Sequence, residues 1–294
     1  MNKLIFNLYT IGVPKPIRTA VLKKNLRRKI LEYYSALPEE EINYEQRELL
    51  EFLGNNPLTI FPYHFHYKYD PGKIEVLHDP LTGLYYVFQD GKKLFFKKQW
   101  SKKRIRKAYA ELSREQDPES PHRYLSETFS TGQYDVIADI GAAEGNFPLS
   151  VIENIRKLYL VEYNSDWNRA LEATYAPWKD KVEIINKIVS DIDDDNHISL
   201  DTLIKTRPDI TFLKIDVDGN ESKVLEGAKK LLSGSSRLKI VLCTYHKGDD
   251  EEEFTSLLVS NGFSVSPSKG YMIHYYDKMI KVPWLRRGLI RASR

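Results

Sequence analysis

The chain has 294 residues, enough for one large domain or one domain with a smaller appendage. Hydrophobic residues make up 41% of it and aromatic residues 12%, which excludes a disordered chain. Lys and Arg number 44 against 41 Asp and Glu, and a formal charge of +3 excludes the strongly basic balance of a dedicated nucleic-acid binder.

Residues 1–10 lack the basic, apolar, small-residue order of a signal peptide, and no apolar run reaches 18 residues, so a cytoplasmic protein without a transmembrane segment is expected. Residues 16–37 open on a proline suited to a helix's first turn and repeat Leu22, Leu26, Ile30 and Tyr33 at spacings of three and four. That predicts an amphipathic helix, whose other face carries Lys23, Lys24, Arg27 and Arg28. This basic face is either solvated or a peripheral contact for a membrane or an acidic partner. A second helix over 44–53 is expected to stop at Gly54.

From 61 to 99 aromatic and β-branched runs are cut by turn residues, and Asp90-Gly91 between 84–88 and 94–96 signals a hairpin. A small antiparallel meander is expected, with His64 and His66 on one strand face and His78 elsewhere in it. No third ligand accompanies that pair, so they read as sheet histidines, not a metal centre. Residues 100–114 read as a basic helix, followed by the linker 116–121. Three segments are therefore expected: 1–118, helices and a small meander; 119–277, an α/β core; and 278–294, a basic C-terminal tail. Cys243, the one cysteine, lies in an apolar run and reads as a buried, inert thiol.

The chemistry concentrates after residue 134. An apolar strand ends at Asp139, a small-residue turn follows, and a helix begins at 147, a layout in which a backbone closely approaches a polar ligand. Twenty-one positions beyond Gly141 a second apolar strand ends at Glu162, placed to accept hydrogen bonds from ribose hydroxyls. A dinucleotide turn favours glycine at its first, third and sixth positions, here Gly141, Ala143 and Asn146; two of the three fail, which disfavours NAD. Further on, the run 210–215 leads into Asp216-Val217-Asp218-Gly219, and 222–232 reads as a helix. The acidic clusters 191–195 and 249–253 read as a loop and a helix start.

Four ordered motifs, Asp139-Ile140-Gly141-Ala142-Ala143-Glu144-Gly145, Ile198-Ser199-Leu200-Asp201, Lys214-Ile215-Asp216-Val217-Asp218-Gly219 and Val224-Leu225-Glu226-Gly227-Ala228, resemble those of the FkbM family of S-adenosylmethionine-dependent methyltransferases. The resemblance covers about 134–263 and implies an α/β, Rossmann-like class I methyltransferase sheet. It implies that the methionine end of S-adenosylmethionine lies over Asp139, Gly141, Ala142, Ala143, Glu144, Gly145 and Asn146, with the ribose on Glu162. The adenine falls near Tyr163 and the end of the third strand at Val189, Ser190 and Asp191, and Asp216 faces the methyl group. Asn is common in the family where Ala143 stands, and Glu where Asp218 stands.

For catalysis, His246 and Asp216 end neighbouring strands, so His246 is expected as general base and Asp216 as the group orienting acceptor or cofactor. A divalent cation on Asp216 and Asp218 is the alternative to that pair, and no metal is assigned. The segment 120–124 is expected to cover the cofactor and bring Arg123 near its carboxylate. The resemblance points to a sugar, glycan or other small-molecule hydroxyl as acceptor. Rival readings are cofactor binding without catalysis and a nicotinamide-dependent oxidoreductase.

Overall fold

A computed structural model describes residues 14–234 and 237–294, so the reading of residues 1–10 lies outside the described part. Helix α1, Lys15–Ser35, buries Leu26, Ile30 and Tyr34. Helix α2, Tyr44–Asn55, starts on a capping box in which Asn43 and Gln46 satisfy each other's backbone N–H groups. It does not stop at Gly54 as expected. Its end is closed by Arg27 of α1, which donates to the carbonyls of Leu53 at 2.6 Å, Gly54 at 2.7 Å and Asn56 at 2.9 Å. One member of the basic face of α1 is thus spent on capping.

Strands β1 (Leu77–Asp79), β2 (Leu84–Gln89) and β3 (Lys92–Phe95) form the expected meander. Its hairpin turn places Asp90 at φ 49° and Gly91 at φ 76°, the left-handed pair that Asp-Gly favours. The meander does not extend back to residue 61. His64–Lys68 is a 3-10 turn, so His64 and His66 share no strand face. The flanking Phe61, Tyr63 and Phe65, whose aromatic run suggested a strand, are buried instead in a core with α1, α2, Met272 and Ile273.

Helix α3, Lys102–Glu115, then leads to the main sheet. Its strands are β4 (Val136–Ile140), β5 (Lys157–Val161), β6 (Val182–Ile185), β9 (Phe212–Ile215), β10 (Lys239–Cys243), β11 (Ser264–Pro267) and β12 (Leu289–Ser293). They lie in the order β11-β12-β10-β9-β4-β5-β6. Numbered in chain order and read from β6, that is 3-2-1-4-5-7-6, with β12 antiparallel to both neighbours. Alternate residues of β4 face opposite cores: Ile137 joins one, Val136, Ala138 and Ile140 the other. Helices α4 (Asn146–Val151), α5 (Asn168–Tyr175), α6 (Leu200–Thr206) and α9 (Asp250–Ser260) follow β4, the β5 end, the short run 197–198 and β10 respectively.

Three expectations change here. The third strand of the sheet is β6, not the run near Val189. The latter forms β7 (Ile188–Val189), which pairs with β8 (His197–Ile198) in a separate two-stranded sheet. The single helix expected over 222–232 is split into α7 (Glu221–Glu226) and α8 (Lys229–Ser233) around Gly227, where a Cβ would stand 2.0 Å from the carbonyl oxygen of Ser190. The segment 278–294, read as a basic tail, supplies β12, which lies between β10 and β11. The meander also shares its core with the main sheet, since Leu84, Val87, Leu94 and Phe96 pack in the cluster that holds Ile137 and Leu158.

Candidate active site

Strand register places the site. Ile140 is paired with Val161 on one side and Ile215 on the other, and Ile215 with Leu242, so β4, β5, β9 and β10 end level at one edge of the sheet. The residues after those ends therefore meet, at the point where the sheet's winding reverses between β4 and β9. Gly141 makes this closeness sterically allowed. Its φ is 79°, and a Cβ there would stand 2.1 Å from the backbone oxygen of Asp216.

Glu162, buried at the end of β5, accepts from the N–H of Ala143 at 3.0 Å through Oε2 and from that of Asn164 at 2.8 Å through Oε1. Each oxygen keeps a lone pair for a ligand hydroxyl. Lys214 of β9 is buried beneath the turn, its Nζ 2.9 Å from Asp139 Oδ1 and donating to the Gly141 carbonyl at 2.8 Å. Burial opposes the charge of Lys214, but Asp139 and then Asp216 outweigh it, so the ammonium is retained and its pKa raised. Asp139 is thereby a brace of the turn and does not line the cavity.

Asp216 accepts from the hydroxyls of Tyr124 at 2.9 Å and Tyr245 at 3.3 Å, with His122 Nε2 3.7 Å away. Burial works against its charge, yet Lys214, His122 and His246 prevail and hold the carboxyl at about 2. Burial pushes the neighbouring His122 down to about 4, so its ring is neutral at pH 7.

A cavity of about 520 Å³ opens over this edge, of a size that takes a nucleoside-bearing cofactor. Of the expected residues, Gly141, Ala142, Ala143, Glu144 and Asn146 line it at the turn, Glu162, Tyr163 and Val189 beyond the end of β5 and in β7, and Asp216 after β9. Gly145, Ser190 and Asp191 are not brought to it. Gly145 faces α5, where its carbonyl takes the Tyr175 hydroxyl at 2.5 Å, and the Ser190 carbonyl packs against Gly227. Beside Val189, Ile188 of β7 and Lys187 of the β6–β7 connection also line the wall.

His246 also lies outside the lining. Its Nδ1 is 3.1 Å from Glu221 Oε1, and its ring lies against Tyr245 with centroids 4.0 Å apart. Burial lowers the affinity of His246 for a proton, but the Glu221 carboxylate more than compensates and its pKa is raised. From the segment 120–124 it is Tyr124 that reaches the cavity, not Arg123, whose carbonyl is held by Arg291 at 2.6 Å.

The sequence reading missed a wall of the cavity. Ala108, Glu111, Leu112 and Glu115 lie on one face of α3 and close it opposite the sheet. Their i, i+3, i+4, i+7 spacing was a readable signal, but two glutamates in it conceal any apolar stripe.

Two groups of side chains among the described residues bring metal-capable atoms within 4.8 Å: His122, Asp216 and Cys243, and Asp216, Glu221 and His246. Burial keeps the Cys243 thiol protonated, which makes it a poor ligand. Asp216 and His246 are already occupied by tyrosine hydroxyls and by Glu221. The alternative pairing of Asp216 with Asp218 has Asp218 fully exposed at φ 52°, 4.0 Å from His246 Nε2.

A 3-2-1-4-5-7-6 sheet with a cofactor-sized cavity at its reversal point, a small-residue turn after the first strand and a carboxylate ending the second is the framework of the class I methyltransferases. Residues 99–277 match the methyltransferase FkbM domain, more than half of the chain, and the protein belongs to that family. No curated protein matches it in sequence. Among solved structures it is similar to methyltransferase FkbM from Methylobacillus flagellatus KT, at 14% identity and a TM-score of 0.45, over 94% of this chain and 60% of that one. It is also similar to the precorrin-6y C5,15-methyltransferase of Geobacter metallireducens GS-15, at 14% identity and TM-score 0.39 over 56% and 81% of the two chains. A Streptococcus mutans protein solved in complex with SAH is 13% identical, with TM-score 0.36 over 55% and 89%. The chain thus spans about three fifths of the length of the Methylobacillus protein. No helix of the described residues is long and apolar enough to cross a membrane.

Proposed function

We propose that this protein transfers a methyl group from S-adenosylmethionine to a hydroxyl of a sugar, glycan or other small-molecule acceptor. The observation that carries the reading is the charge of the cavity. Glu111, Glu115, Glu144, Glu162, Asp216 and Asp218 line it against two lysines, Lys187 and Lys214, and the second is tied to Asp139. Such a wall favours a cationic ligand and repels a pyrophosphate or a nucleic-acid backbone.

Within this reading Glu162 receives the ribose hydroxyls while its backbone contacts fix its carboxylate, and the turn at Gly141–Glu144 receives the methionine end. Tyr163 and Val189 flank the adenine. The bound cofactor supplies an already electrophilic methyl group, so the protein's task is to align an acceptor about 3 Å away. Asp216, held by Tyr124 and Tyr245, orients that acceptor through a carboxylate that stays charged. His246 acts indirectly, by fixing the Tyr245 ring.

Incubation with methyl-labelled S-adenosylmethionine and a panel of free sugars, oligosaccharides and their amino-sugar counterparts tests the acceptor. Label in a methyl ether is expected. Label confined to amines, with no hydroxyl methylated, would overturn the O-methyl assignment.

A further inference from the structure

The acids of the cavity differ in what holds them. Glu162 takes two backbone N–H groups, Asp216 two tyrosine hydroxyls, and Glu144 its own backbone N–H. Glu111 is paired with Arg114 at 2.8 Å, and Asp218 is exposed beside His246. The Glu115 carboxyl forms no hydrogen bond or ion pair with any described residue. Its position is nonetheless fixed on both sides. The preceding Arg114 is turned away, donating to the carbonyls of His66 at 2.9 Å and Tyr69 at 2.5 Å. The following Gln116 accepts from the Tyr124 N–H at 3.3 Å and donates to the His122 carbonyl at 3.4 Å. The last turn of α3 is therefore clamped to the Tyr124 segment, and Glu115 lines the cavity close enough to Asp216 for that charge to bear on it.

We propose that Glu115 is the residue that takes the acceptor's proton in methyl transfer. A base needs a free lone pair, a fixed position and reach to the reacting oxygen, and among the cavity's acids Glu115 joins the first two. Asp216 is too weak a base to serve, since Lys214, His122 and His246, with the Tyr124 hydroxyl, hold it at about 2 against its burial. Burial, then the charges of Asp216, Glu144 and Glu111, push the Glu115 carboxyl up to about 8, with Lys214 opposing.

At pH 7 the empty cavity accordingly holds Glu115 mainly protonated. A sulfonium entering the same cavity favours the carboxylate, so Glu115 releases its proton to solvent when the cofactor binds. It then accepts the proton of the acceptor's hydroxyl as that oxygen's electron pair forms the new bond to the methyl carbon. The carbon–sulfur bond breaks with its pair left on sulfur, which becomes a neutral thioether. The scheme rests on the proposed cofactor.

Calorimetric titration of the full chain at pH 7, in phosphate and in Tris, reads the protons released per ligand bound. S-adenosylmethionine is expected to release roughly half a proton or more beyond S-adenosylhomocysteine, which lacks the positive sulfur, and Glu115→Gln is expected to abolish the difference. On a methylated acceptor, Glu115→Gln should lower kcat about a hundredfold or more and lose the acid limb of the pH profile. The Kd of S-adenosylhomocysteine, whose sulfur is neutral, should stay within about threefold of wild type, and Glu115→Asp should recover part of the rate. Equal proton release by the two ligands in wild type, or turnover by Glu115→Gln within threefold of wild type, would overturn the role of Glu115. Failure of wild type to bind either ligand would instead remove the cofactor reading on which it rests.

Discussion

Glu162 carries two duties, and they separate experimentally. In the proposed site its charge strengthens hydrogen bonds to the ribose hydroxyls, while its two oxygens brace Ala143 and Asn164. Glu162→Gln keeps the shape and one acceptor oxygen, so the fold should survive while affinity for S-adenosylhomocysteine falls by about 1 to 3 kcal/mol, or roughly 5- to 150-fold. Titration calorimetry on the variant measures this, and unchanged affinity would place the ribose elsewhere. Glu162 was readable from sequence because a strand-ending acid follows a small-residue turn at a fixed interval. Glu115 was not, because it lies well before the first strand of the main sheet, which opens at Val136, in a helix whose local signal is its basic residues. Only the fold brings it over Asp216.

His246 shows the converse: its place at a strand end was legible, its direction was not. Burial opposes its protonation, but Glu221 at 3.1 Å, with Asp216 and Asp218, raises its folded pKa above the ordinary 6.5. The folded state therefore binds the proton more tightly than the unfolded chain. The stability this adds is fully present below about pH 6.5 and is lost as pH rises through the higher folded value. Urea midpoints measured from pH 5.5 to 9 should fall more steeply for wild type than for His246→Gln. Parallel curves would mean that the imidazolium–Glu221 pair adds nothing.

At the scale of elements, two of the four family motifs build the scaffold, not the cavity. Ser199 caps α6 by accepting from the Thr202 N–H at 3.1 Å, and Asp201 caps α8 by accepting from Lys230 at 3.0 Å and Leu231 at 2.8 Å. Gly227 lets this assembly press against Ser190, one residue past Val189 of the cavity wall. Gly227→Ala must push that carbonyl away, so it should cost about 2 kcal/mol or more of stability and weaken cofactor binding together. Denaturation and calorimetry on the same variant check the pairing of effects; loss of neither would show that the contact yields freely.

Strand assignment failed where two β-branched runs, 182–185 and 188–189, stand three residues apart, since periodicity cannot say which one joins the sheet. The strand β12 was hidden by its charge. Arg291 and Arg294 read as tail residues, but the first donates to the carbonyls of Tyr124 and Arg123 and the second to those of Leu232 and Asn261. Their guanidinium groups thus serve backbone acceptors inside the fold while Leu289, Ile290 and Ala292 are buried.

For the whole molecule, net charge is a poor guide to the site. A chain of formal charge +3 places six acidic side chains against two lysines around its cavity. That local field is what distinguishes a sulfonium cofactor from a dinucleotide on the same α/β framework, because fold alone would accommodate either. The most direct test is a calorimetric titration of the full chain with S-adenosylmethionine and, separately, with NAD. The account predicts saturable binding of S-adenosylmethionine with a Kd of micromolar order, about −8 kcal/mol, and no heat of binding from NAD. Saturation by NAD with no response to S-adenosylmethionine would contradict it.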